Sequence, residues 1–125
     1  MKNLLYYLLR VILWSIDRFF MKRYYFFIAS QDFLFFQEPI EEILRERIRH
    51  YTSINKKIDF CLTKDLTFLD IPSLKPIRAN LVKPSVAIVS LNPKFIDWLK
   101  LRVHYGITGS FTALSFQEKN RLISI

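Results

Sequence analysis

The run Arg23 to Ser30, RYYFFIAS, carries apolar side chains on both of its alternating faces, Tyr24, Phe26 and Ile28 on one and Tyr25, Phe27 and Ala29 on the other. A dense aromatic, β-favouring segment of this kind reads as a central strand. Its neighbours must therefore come from the rest of the chain. Phe33 to Phe36 is apolar but short, and the Glu38-Pro39 step after it places a proline where the first turn of a helix tolerates one. From there Ile40, Ile43, Leu44, Ile48 and Tyr51 form one helical stripe, with Glu41 and Glu42 near the positive end of the helix dipole and Arg45, Arg49 and His50 toward the other end. Pairs such as Glu41 with Arg45 add local support.

Lys57 to Thr63, KIDFCLT, alternates Ile58, Phe60 and Leu62 against Asp59 and Cys61, the pattern of a strand with one buried face. Lys64 to Lys83 holds Pro72 and Pro76 without a sustained period, so it reads as a connection with at most a short helix. Ser85 to Ser90, SVAIVS, is a third strand. Asn92 offers a cap and Pro93 a first position for a second helix, expected to run to about Tyr105 before Gly106 and Gly109 end it. Ser110 to Leu114 is a fourth strand. The order strand, helix, strand, strand, helix, strand predicts an α+β fold, a four-stranded antiparallel sheet with both helices on one face, as in ferredoxin-like folds. The other face must then be covered or used.

A chain of 125 residues suffices for one domain with a modest core. Residues 21–116 are assigned to that domain, 117–125 to a loose polar tail and 1–20 to an N-terminal extension. The extension is strongly apolar from Leu4 to Phe20, yet Arg10, Asp17 and Arg18 interrupt it before a run of about 18 residues can form, which makes it a poor transmembrane helix. Three accounts stay open: an interfacial helix lying on a membrane, an extra helix packed on the domain, or translated upstream sequence with Met21 as the working start. Of 19 basic and 11 acidic residues, Lys2, Arg10, Arg18 and Asp17 belong to this segment, so 16 and 10 remain and the core stays basic. That charge favours an acidic partner, an anionic membrane surface or nucleic acid without choosing among them.

The residues that chemistry needs are not assembled. Cys61 is the only cysteine, which excludes an internal disulfide and fits a reducing compartment; with two histidines at the ends of different helices, it leaves too few ligands for a structural zinc site. Glu46 and His50 lie four apart on a helix, but a carboxylate-bridged di-iron site requires further glutamates and Glu-x-x-His spacing on other helices. An exposed salt pair accounts for them better. There is no glycine-rich phosphate loop and no Gly-x-Ser-x-Gly elbow. The strand order and basic charge suit an RNA-recognition module, but SVAIVS lacks the stacking aromatics and the basic-glycine-aromatic motif is missing. The chain is therefore expected to hold no catalytic residue, no metal and no cofactor, and to act by binding.

Two positions stand out. On the second helix Phe95, Ile96, Leu99 and Val103 share a core face, while Trp98, Arg102 and Tyr105 share a flank beside it, an interface-like composition. The plain alternative is that the Arg102 stem lies over the core edge with its charge in water. Asp59, a carboxylate within a strand, wants a partner, either a local arginine or a group on another protein.

The stretches YYFFIASQDF, EPIEEILRERIRHY, KIDFCLTKDLTFL and AIVSLNPKFIDWLKLRVHYGITGSF, in that order, closely resemble the family of hypothetical chloroplast open reading frame fifty-four, found in cyanobacteria and plastids, with a land-plant counterpart named for low chlorophyll accumulation. The resemblance runs from about Arg23 to Phe111. It implies a non-catalytic accessory factor of the aerobic oxidative cyclase, which closes the fifth ring of magnesium-protoporphyrin IX monomethyl ester in chlorophyll synthesis. The implied partner is the di-iron catalytic subunit of that cyclase, and the implied location is the plastid stroma, peripheral to the thylakoid or envelope membrane through that partner. Family residues linked to the contact match Asp59, Phe60 and Arg102, and Trp98 lies beside the last of these. Two departures stand: the family usually has tryptophan where this chain has Cys61, and usually starts near Met21. A rival expectation is a tetrapyrrole-binding carrier, with Tyr24, Phe26 and Phe60 receiving a flat porphyrin and Arg102 its carboxylate. RNA binding is a third.

Overall fold

The structure, a computed structural model, describes the backbone of residues 2–114 and the side chains of residues 3–13 and 21–114. The expected loose tail at 117–125 lies outside the described residues. In chain order the elements are helix α1 (Lys2–Phe20), strand β1 (Lys22–Ser30), helix α2 (Ile40–Ser53), strand β2 (Phe60–Thr63), short helix α3 (Lys75–Ala79), strand β3 (Ser85–Ser90), helix α4 (Pro93–Val103) and strand β4 (Ile107–Ala113). The sheet order is β2-β3-β1-β4, and every neighbouring pair is antiparallel. This is the expected α+β architecture, in an order compatible with the ferredoxin-like arrangement.

β1 is central, as its two apolar faces require. One edge pairs with β3, Phe27 opposite Ile88, and the other with β4, Phe26 opposite Gly109. Phe27 points into a core shared with Leu44 and Tyr51 of α2 and Phe95, Leu99 and Val103 of α4, which places both long helices over one face. Tyr24, Phe26 and Ile28 point the other way. There they meet Phe68, Leu69 and Leu74 of the connection between β2 and β3, together with Cys61, Val89 and Phe111. The molecule thus has three layers: helices, sheet and a folded connection.

The connection's closure over the sheet explains why its sequence showed no period. It is built from two short 3₁₀ turns, Thr67–Asp70 and Pro72–Leu74, followed by α3, too short for a repeating stripe. Its aromatic anchor is Phe68, whose ring lies 4.8 Å from Phe111 and 5.2 Å from Phe26 between centroids. Arg78 ties its ends together, donating to Asp70 Oδ1 at 2.6 Å and to the Leu66 carbonyl at 3.3 Å. Because this layer covers the sheet, β2 is buried on both faces and not on one as its alternation suggested. β2 also starts later than expected. Phe60 pairs with Ser90, the last residue of β3, so Lys57 to Asp59 have no ladder partner beyond the Leu91 N–H that donates to the Asp59 carbonyl.

The helix boundaries follow local chemistry with small shifts. Phe33–Gln37 forms a single π-helical turn, and Pro39 sits at the N-cap of α2, one position before the expected first turn. At α4, Asn92 Oδ1 accepts the Lys94 N–H at 3.0 Å and Pro93 opens the helix, as expected. The other end differs: α4 stops at Val103 because His104 turns left-handed, with φ of 71°, whereas neither glycine has positive φ. The glycines serve close approach instead. A Cβ on Gly106 would collide with the Phe27 ring, and one on Gly109 would come within 2.5 Å of Phe26 Cζ. The side chains described in α1, residues 3–13, are all exposed, and no helix among the described residues is long and apolar enough to cross a membrane.

Since Phe26 is fully buried and cannot swing away, Gly109→Ala is expected to destabilise the domain by about 1–3 kcal/mol through overpacking. Urea unfolding of the purified protein measures this as a lowered midpoint; an unchanged midpoint would show that the ring has room to move.

Candidate protein-docking surface

With both sheet faces occupied, functional groups can lie only on the outer side of the layers or at the sheet edges. α4 presents such a side. Its capped start and four buried residues, Phe95, Ile96, Leu99 and Val103, fix its rotation, and this turns Trp98, Leu101 and Arg102 outward, with Tyr105 just beyond its end. Leu101 and Tyr105 are 74% and 73% exposed and Trp98 44%. Trp98 is held by stacking on Phe95, with centroids 6.2 Å apart and planes 21° from parallel. Tyr105 stands edge-on to Phe33 at 5.7 Å. The aromatic groups are thus exposed yet braced from below.

Arg102 has a weak local partner. Its Nη1 lies 4.0 Å from Glu38 Oε2, and its side chain remains half exposed. An ion pair of that length in water contributes little, so the guanidinium stays available to another acceptor. Beside it, Phe36 is 83% exposed and lines a groove of ≈ 740 Å³ with Glu38, Pro39, Glu41 and Arg45. Phe36 was not singled out from the sequence. Its signal was there, since FLFF supplies more aromatic surface than one short turn can bury.

Asp59 and Phe60 lie at the opposite end of the helix pair, where α2 finishes and α4 begins. Asp59 accepts a hydrogen bond from the Tyr51 hydroxyl at 3.1 Å, and its other oxygen is 4.0 Å from Lys56 Nζ. Its local partners are therefore a tyrosine and a lysine, not the arginine considered above. Phe60 is 5% exposed, packed against Phe95 at 5.1 Å and Tyr51 at 5.8 Å. It supports the surface from beneath. Phe95 and Arg102 are seven residues apart, about 10 Å along the helix, so Asp59 and Arg102 mark two ends of one surface and do not touch.

The same geometry bears on the rival expectations. Tyr24 and Phe26 face the connection while Phe60 faces the helices, so the three cannot form one platform for a porphyrin. β3 is buried along its whole length, which leaves its face no room to stack bases. His50 lies in the last turn of α2 and His104 caps α4. Among the described residues no three His, Cys, Asp or Glu side chains group so as to hold a metal.

Comparison with known proteins agrees with this architecture. A family model described as Ycf54 protein matches residues 22–113. The uncharacterized protein ycf54 of Pyropia yezoensis is 50% identical over 91 residues, spanning 73% of this chain and 82% of that protein. The Ycf54-like protein of Synechocystis is 47% identical over 106 residues, 85% of this chain and 80% of the relative. An Arabidopsis thaliana relative named as chloroplastic is 34% identical over 97 residues, 77% of this chain but 45% of that longer protein. The solved structure of the Synechocystis Ycf54 protein matches with a TM-score of 0.71 and 46% identity, over 74% of this chain and 87% of the other. None of these relatives carries an enzyme's name. With the family model spanning the sheet and both its covering layers, and relatives near half identical over most of their length, the chain belongs to the Ycf54 family.

Proposed function

We propose that this protein is a non-catalytic accessory factor that binds the di-iron catalytic subunit of the magnesium-protoporphyrin IX monomethyl ester oxidative cyclase and supports its accumulation or activity in chlorophyll synthesis. The observation that carries a binding role is the outer side of α4, where Trp98, Leu101, Arg102 and Tyr105 are exposed beside Phe36. Exposed aromatic and arginine side chains on a rigid, capped helix are the composition of binding hot spots. The identity of the partner follows from the family resemblance, in which Asp59, Phe60 and Arg102 match residues of the contact. The chloroplastic name of the Arabidopsis relative supports a plastid location, here placed on the stromal side, with the membrane reached through the partner.

Arg102 and Trp98 contribute to this reading in different ways. Arg102 offers a charge whose local competitor, Glu38, is too distant to hold it. Trp98 offers area, already fixed against Phe95 and so binding with little further loss of rotamer freedom. The basic balance of the chain adds a screened, long-range attraction toward an acidic partner.

The test is recovery of the di-iron subunit from solubilised thylakoids on the tagged protein. Recovery is expected with the natural sequence and failure would count heavily against the proposal. Arg102→Ala and Trp98→Ala are each expected to weaken binding about tenfold or more. Arg102→Ala should change thermal stability by less than about 1 kcal/mol, because its ion pair is exposed and long. A large loss of melting temperature in that variant would assign Arg102 to the fold instead.

A further inference from the structure

The first helix, α1, takes no part in the cores described above. Among the described residues neither core includes a side chain from it, and residues 3–13 are all exposed. Of the accounts open for residues 1–20, packing on the domain is therefore not what these side chains show. The helix is nonetheless apolar. Between Leu4 and Leu13 every residue except Tyr6, Tyr7 and Arg10 is aliphatic, and each of these aliphatic residues is 51–66% exposed. A monomer in water seldom leaves so much contiguous apolar surface open without a use for it.

The arrangement around the helix narrows that use. At about 100° per residue, the aliphatic side chains run from Val11 through Leu8 and Ile12 to Leu13, an arc of about 200°. The remaining sector holds Asn3 and Arg10 at its centre, with Tyr6 at one border and Tyr7 at the other. The Arg10 guanidinium carbon lies 5.6 Å from the Tyr6 ring centroid, and Tyr6 meets Tyr7 edge-on at 6.3 Å. A stripe that packs on a core is about 100° wide or a little more, and a coiled-coil seam is narrower still, so neither covers an arc of this width. A lipid interface covers a broad arc at once. It also accounts for the tyrosines, whose rings favour the boundary between acyl chains and headgroups. On such a surface α1 would lie flat: no helix among the described residues is long and apolar enough to cross a membrane, and a spanning α1 would carry Arg10 to the bilayer centre. Charge selects the kind of surface. Lys2, Arg10 and Arg18 outweigh Asp17 within the helix, the exposed Lys22 and Arg23 follow after Met21, and the whole chain carries +8, a balance that attracts anionic headgroups.

We infer that α1 is a membrane-surface anchor that binds anionic lipid bilayers, with its aliphatic arc seated among the acyl chains, Tyr6 and Tyr7 at the boundary and Arg10 at the headgroup phosphates. This does not rest on the cyclase reading. It gives the chain a lipid contact of its own, beside the one reached through a protein partner.

The test is flotation of the full purified chain on vesicles, made either of phosphatidylcholine alone or of three parts phosphatidylcholine to one of phosphatidylglycerol. Thermal melting and sedimentation of the same proteins without lipid accompany it. The natural chain is expected to float with the mixed vesicles, and about tenfold less well with phosphatidylcholine alone. Leu5→Glu combined with Ile12→Glu puts two charges in the middle of the aliphatic arc, and should abolish flotation while leaving the melting temperature unchanged. Absence of flotation by the natural chain overturns the inference, and so does undiminished flotation of the double variant. Equal flotation on both kinds of vesicle overturns the assignment to anionic lipid. A lowered melting temperature in the double variant assigns the arc to packing on the domain, and a natural dimer that the double variant dissociates assigns it to a second copy of the chain; either result overturns the anchor. The cyclase reading stands or falls separately, on recovery of the di-iron subunit.

Discussion

The structure depends on β1 having no polar face. A strand whose alternate residues are Tyr24, Phe26 and Ile28 on one side and Tyr25, Phe27 and Ala29 on the other cannot leave either side in water, since each fully buried phenylalanine is worth about 1.5–3 kcal/mol over its exposed state. The helices α2 and α4 meet the Phe27 side and the β2–β3 connection meets the Phe26 side. The same demand explains the glycines: Gly106, just before β4, and Gly109, within it, give the rings of Phe27 and Phe26 room. Both faces of the small sheet are consumed by its own core. The outer sides of the layers and the sheet edges are what remain for recognition, and the proposed reading assigns it to the helix layer.

How far this was legible depends on how each element announces itself. β1, β3, α2 and α4 announce themselves, and their positions follow from β-favouring runs or a period of 3.6 residues together with Pro39 before α2 and Asn92 and Pro93 at the start of α4. The connection was not legible as a layer, because 3₁₀ turns and a five-residue helix have no room for a repeat, and Phe68 looks like any other loop aromatic until Phe26 and Phe111 are seen beneath it. The burial of Cys61 and Thr63 follows from that layer. The left-handed turn at His104 was also hidden, since glycine is the usual occupant of such a position and two glycines stand just beyond.

The candidate site shows the same division. Trp98, Arg102 and Tyr105 could be placed on one flank because a helix with a known buried face has a known outer one. Asp59 could be marked as needing a partner, but only the fold identifies Tyr51 and Lys56. Phe60 belongs to the core under the surface, so its influence on binding would pass through Phe95. Arg47 of α2 was not marked because charged residues on helices are ordinarily solvated; its guanidinium carbon lies 4.0 Å from the centroid of Phe95 on α4, a contact between elements that no single segment encodes. A surface supported this way is rigid, and rigidity is what lets a few anchors carry binding energy.

The central claim is that recognition belongs to the helix layer while the connection on the opposite face serves only the core. Amide hydrogen exchange of the protein, alone and bound to the di-iron subunit, tests it most directly. The account predicts new protection in α4 and along the facing part of α2, with the segment 64–83 unchanged. Protection gained across 64–83, with α4 exchanging as in the free protein, would contradict it.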